Sequence, residues 1–233
     1  MVDRAKAAAP LALVIAVLAF LWVEVSLNFT FHWVTAGDLG NGLSLPSSFH
    51  LIVPAAFVTW GFFFAAGATM DALTKVVVAS VVGSVGALVV MALAPKIADL
   101  PDFWGIALVV AVAAFVLVLA SALGDWYYVP GIFGAFAATV FWWIATGLDS
   151  WAAAGGGVGN SVAALGKPAT AGAGAFGGVL STPYGWVWAS SLASLLCGCV
   201  LGLLSVKLAG LFARPADAGD SARPSESQGA HSA

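Results

Sequence analysis

Six apolar runs punctuate the chain, near residues 9–31, 50–69, 74–94, 103–123, 128–147 and 185–212. Each approaches the roughly 20 residues with which a helix crosses the hydrocarbon core of a bilayer. The pattern predicts an all-α, polytopic membrane protein of six transmembrane helices, spanning 9–212 as one domain after a short N-terminus at 1–8. The second to fourth connections are brief, which makes consecutive helices antiparallel neighbours. The fifth, residues 148–184, is dominated by Gly, Ala, Ser and Thr and includes Gly155-Gly156-Gly157, so it reads as a flexible outer lid or linker. Residues 213–233 turn to Pro, Ser, Asp, Arg and Gln and read as a disordered tail. Arg4 and Lys6 ahead of the first run resemble the start of a secretory signal, but no small-x-small cleavage pattern follows closely, so the run reads as a retained helix.

Basic residues orient these spans. Arg4, Lys6, Lys75, Lys207, Arg214 and Arg223 fall on one side and Lys96 and Lys167 on the other, which predicts cytoplasmic termini by the positive-inside rule. Trp33, Trp104, Trp151, Trp186 and Trp188 then form an outer interfacial belt, and Trp126, Tyr127 and Tyr128 an inner one. Trp22 and Trp60 lie deeper, where they pack between helices or line a cavity.

Composition agrees with the pattern. Hydrophobic residues make up 61% and charged residues 8%, against about 45–50% and about 25% in soluble domains. A water-soluble domain is excluded, and the lipid bilayer is the first partner. A net charge of −3 without a basic cluster argues against nucleic-acid binding. Cys197 and Cys199 share one apolar run and have neither disulfide-framework nor zinc spacing; they read as small packing residues.

Two segments resemble each other. Val53-Pro54-Ala55-Ala56-Phe57 and Val129-Pro130-Gly131-Ile132-Phe133 share Val-Pro-x-x-Phe at equivalent positions. Ala79-Ser80-Val81-Val82-Gly83 can be laid over Ala193-Ser194-Leu195-Leu196-Cys197. Halves of three helices each would be inserted in opposite orientation, the inverted-repeat layout of many transporters. Pro54 and Pro130 either initiate ordinary helices or open discontinuous ones whose free backbone groups face a cavity. Small residues at packing spacings, such as Gly83 with Gly86 and Gly198 with Gly202, allow close backbone approach in lipid.

Glu24 is the one charged residue well inside an apolar run, which makes it a candidate for function. At helical spacing Glu24, Asn28 and His32 share a face and could form a hydrated or proton-conducting stripe. Two other readings compete: the helix ends near Leu27 with Glu24 reaching the headgroups, or the alternation from Val23 to Trp33 marks an extended segment. The serines and threonines at membrane depth are expected to bond preceding helical carbonyls. No enzyme motif emerges. Gly155 to Asn160 and Gly166-Lys167 do not form a phosphate loop, and His32, His50 and Asp38 match no established metal-site spacing. No catalytic residue, metal or other cofactor is expected.

Most of the chain, residues 18–212, resembles the bacterial inner-membrane family known as domain of unknown function 1097. The resemblance is carried by Leu21-Trp22-Val23-Glu24-Val25-Ser26-Leu27, by Phe57 to Gly67 leading to Ala72-Leu73-Thr74-Lys75, and by Tyr128-Val129-Pro130-Gly131-Ile132-Phe133-Gly134. It implies a multi-pass inner-membrane location and no activity. Glu24 departs from the small or apolar residues of the family pattern, and the 148–184 loop and the polar tail look like additions. The expected function is a channel or transporter for a small molecule or ion, with Glu24, Asn28, His32, Pro54, Trp60, Pro130 and Phe133 along its pathway. The competing expectation is an accessory or scaffold protein. A homo-oligomer is compatible with either.

Overall fold

The computed structural model describes residues 2–30, 49–97, 100, 104–146 and 183–212. Within them lie six helices: α1 (Val2–Asn28), α2 (Val53–Ala65), α3 (Met70–Leu93), α4 (Trp104–Leu119), α5 (Val129–Ala145) and α6 (Tyr184–Phe212). One 3-10 turn at each C-terminus prolongs α3 (Ala94–Ile97) and α4 (Ala120–Leu123). Four helices, Lys6–Asn28, Met70–Ile97, Trp104–Leu123 and Tyr184–Phe212, are long and apolar enough to cross a membrane, whereas α2 and α5 are shorter apolar helices of 13 and 17 residues.

Local chemistry explains the boundaries. Helix α1 begins ahead of the first apolar run because Ala-rich residues favour helix, and it accommodates Pro10 within its length. It stays helical to Asn28, so the alternation from Val23 to Asn28 belongs to a helix and not to an extended segment, while its last residues, 31–33, lie outside the described ones. Both short helices open with Val-Pro, where the missing proline N–H would have had no intrahelical partner. The turn between α2 and α3, residues 66–69, lies four residues earlier than the apolar runs imply. Gly67 adopts φ 106°, and the Thr69 hydroxyl caps α3 by accepting from the Ala72 N–H at 3.1 Å. Asp71 and Lys75 therefore belong to the first turns of α3, paired at 2.7 Å, and not to a connection. The 148–182 part of the fifth connection and the tail lie outside the described residues.

Successive helices alternate in direction. The end of α1 meets the start of α2 through Trp22 and Val53, while Val14 and Leu18 pack on Trp60 further along. Gly83 and Ile132 touch, and Met91 lies in one cluster with Trp142, so α3 and α5 run parallel. Ile52 bonds Ser194 and Phe63 packs on Gly202, so α2 and α6 also run parallel. Ser80 beside Cys199, and Met91 clustered with Val187, make α3 and α6 antiparallel. Gly86 against Leu117 and Ile97 against Gly105 make α4 antiparallel to α3.

The packing of the first three helices is matched by that of the last three. Helix α2 packs chiefly on α6 and α5 chiefly on α3, while α1 lies against α6 and α4 against α3. Laying Gly83 on Gly198 superposes buried positions: Ala72 on Val187, Val76 on Ser191, Ala79 on Ser194, Ser80 on Leu195, Ala87 on Gly202 and Val90 on Ser205. This register differs by one residue from the one read in sequence, which set buried Ala79 on half-buried Ala193. Contacts select it: Gly198 abuts the Ala56 carbonyl and Gly83 the Ile132 carbonyl, with Ala56 and Ile132 equivalent in the two Val-Pro segments.

Candidate functional site

Residues 49–52 approach α2 without helical structure, and Ile52 is extended at φ −102°, ψ 103°. Their backbone groups cannot pair within the segment, so neighbours must supply partners. Two helices do so, each with hydroxyls one turn apart on a single face. From α6, Ser190 Oγ accepts from the His50 N–H at 3.0 Å and Ser194 Oγ accepts from the Ile52 N–H at 2.8 Å. At the end of α1, Thr30 Oγ1 accepts from the Leu51 N–H at 3.0 Å and donates to the Leu51 carbonyl at 3.2 Å, with Ser26 Oγ donating to the same carbonyl at 3.4 Å. Trp22 Nε1 donates to the Val53 carbonyl at 3.1 Å. This indole packs between helices, as one of its two sequence readings held.

His50 is 2% exposed, and Trp142 approaches its ring edge-on with centroids 6.2 Å apart. Among the described residues its Nδ1 has no hydrogen-bond partner, nor do Ser191 Oγ and Trp188 Nε1, and all three atoms are buried. They belong to one end of the bundle, where residues 49–52 and the N-terminal turns of α6 meet the C-terminal parts of α3 and α5 around Ile52, Met91, Trp143 and Val187.

From this end a seam of buried hydroxyls follows the junction of α3 and α6 and its flanking helices. Thr59 Oγ1 crosses from α2 to donate to the Leu195 carbonyl at 2.6 Å. Ser80 Oγ lies 3.8 Å from Cys199 Sγ. Ser80, Thr139, Ser194 and Ser205 also donate to carbonyls one turn back in their own helices, the behaviour expected of hydroxyls at membrane depth. Trp60 is 3% exposed and donates through Nε1 to Ser205 Oγ at 3.0 Å.

The sequence-predicted pathway residues are placed differently. Glu24 is exposed on α1, where Asn28 Nδ2 donates to its carboxylate at 3.0 Å and to its carbonyl at 2.9 Å. Pro54, Pro130 and Phe133 are exposed, Trp60 is buried, and His32 lies outside the described residues. Glu24 and Asn28 are therefore brought together, while Glu24, Pro54, Trp60, Pro130 and Phe133 do not surround a common cavity.

Among the described residues, surface grooves are lined by apolar side chains: one of about 500 Å³ between α2 and α5 includes Pro54, Phe62 and Phe141, one of about 380 Å³ separates α3 from α4, and two of about 330 and 310 Å³ follow α1 and α6. Among the described residues no three His, Cys, Asp or Glu side chains group to hold a metal.

The polar end at His50 was missed in sequence because His50 was weighed only as a metal ligand with His32 and Asp38. A signal existed: Ser26 with Thr30 and Ser190 with Ser194 repeat at i, i+4 in two apolar runs flanking the only histidine that opens a run.

The chain matches no curated protein and no solved structure. The family model described as "Protein of unknown function (DUF1097)" matches residues 12–210, and the chain, an apolar helical bundle in its described residues, belongs to this family.

Proposed function

We propose that this protein is a six-span bacterial inner-membrane channel or transporter for a small neutral or weakly charged solute. It performs no chemistry on the solute, its termini are cytoplasmic, and two inverted three-helix halves meet along α3 and α6. Alternating helix directions and the matched packing of α1, α2 and α3 with α4, α5 and α6 support the inverted halves. The short helices suit crossing because extended residues 49–52 lengthen the α2 segment to about 30 Å and the 17 residues of α5 give about 25 Å.

One observation carries the transport reading: the buried hydroxyl seam lies where the two halves join, as solute sites do in inverted-repeat transporters. Ser and Thr serve helix packing as Ala and Gly do, and here they add a line of hydroxyls along the junction. The pathway thus runs through Ser194, Thr59, Ser80 and Thr139, and Glu24 stands outside it. The test is flux into proteoliposomes over a panel of small solutes and ions. At least one solute enters faster than into empty vesicles, and Ser80→Leu, which fills the seam, abolishes the difference. Flux equal to empty vesicles across the panel, from protein that retains its helical signal, overturns the reading.

A second reading, an accessory or scaffold membrane protein, is favoured by the close glycine contacts of Gly83 and Gly198 and by the apolar lining of the grooves. Absent flux from folded protein would select it.

A further inference from the structure

The His50 end holds polar groups that the closed bundle does not use. The His50 imidazole is fixed through its own backbone, whose N–H is tied to Ser190 Oγ at 3.0 Å, and edge-on by Trp142. Among the described residues its Nδ1 nevertheless has no partner, and neither has the hydroxyl of Ser191, the residue that follows Ser190 and is itself fully buried. On the same stretch of α6, Trp188 presents an unpartnered indole N–H. Leaving such groups dry is costly, and buried polar atoms in folded proteins otherwise find partners. Three in one region mark a place built for a molecule that supplies them.

We propose that the His50 end binds one small uncharged molecule bearing both a hydrogen-bond donor and an acceptor, an amide or an alcohol, with His50, Ser191 and Trp188 as its polar contacts. The inference rests on the transport reading for what the site serves, whereas its existence is read by binding alone. Charge is disfavoured because the buried polar side chains among the described residues include no Asp, Glu, Lys or Arg to balance it. Both bonding senses are required because an indole N–H only donates, whereas an imidazole nitrogen and a hydroxyl can accept. An amide carbonyl suits the first and an amide N–H the others.

The probe is acetamide, titrated against nanodisc-embedded protein labelled with ¹⁵N-histidine. The His50 ring resonance shifts saturably, and Ser191→Ala weakens the apparent affinity about tenfold, the equivalent of about 1.4 kcal/mol. The signal is assigned by its loss in His50→Phe. Should that variant fail to fold, replacing His32 and His231 by Gln leaves His50 as the only histidine of the chain. A shift linear in acetamide, or one unchanged by Ser191→Ala, overturns the proposal. Flux without saturable binding at His50 removes this site and leaves transport standing. Binding without flux supports the site and removes transport.

Discussion

Gly198 of α6 lies directly against the carbonyl oxygen of Ala56 in α2, so closely that a Cβ at position 198 would collide with it and with Thr59 Oγ1. Gly83 of α3 meets the carbonyl of Ile132 in α5 in the same way. In lipid, where the hydrophobic effect gives helices no reason to associate, van der Waals contact of this kind supplies the attraction.

Gly198→Ala and Gly83→Ala are accordingly expected to destabilise the bundle by about 1–3 kcal/mol each, the usual cost of overpacking. Gly61→Ala is the control, since nothing lies within 4 Å of a Cβ there, and removing a mid-helix glycine should leave stability unchanged or raise it by about 0.5–1 kcal/mol. Unfolding in mixed detergent micelles reads all three. Equal effects at positions 61, 83 and 198 would disprove the contact argument.

Ser194→Ala removes the acceptor of the buried Ile52 N–H. A loss of about 1–3 kcal/mol is expected from the unsatisfied donor, together with faster hydrogen exchange at Ile52 and its neighbours. Ser194→Thr keeps the hydroxyl and should retain slow exchange. Unaltered exchange in the alanine variant would show that the segment is held by other means.

Glu24→Gln should change stability by less than about 0.5 kcal/mol, as is usual for surface substitutions, because Glu24 is exposed and its contact with Asn28 Nδ2 survives as an amide–amide bond. Solute flux, where present, should be equally unaffected. A Glu24→Gln protein that folds but loses flux would return this residue to the pathway.

Single cysteines at Arg4 and Ser232, in a background without Cys197 and Cys199, should react with a membrane-impermeant maleimide from the same side of the bilayer. The proposed six spans require it. Labelling from opposite sides would give an odd number of crossings and dismantle the inverted halves.

The run of apolar residues alone determined that this is a helical membrane protein, because segments of that length and composition have no stable alternative in which their backbone groups are paired. Val-Pro at positions 53 and 129 likewise marked two helix starts, as proline geometry requires. Which side chains face one another was decided by packing. Glu24 stood out in sequence as a charge among apolar neighbours, yet α1 turns it outward, and helical phase relative to the other helices is not written in a run that is apolar on every side. The register between α3 and α6 moved by one residue for the same reason: weak similarity could not choose between neighbouring alignments, whereas the meeting of Gly83 and Gly198 with opposing carbonyls could. His50 became a site only through tertiary structure, since its partners Ser190 and Trp142 are distant in the chain and come together when α5 and α6 close over residues 49–52.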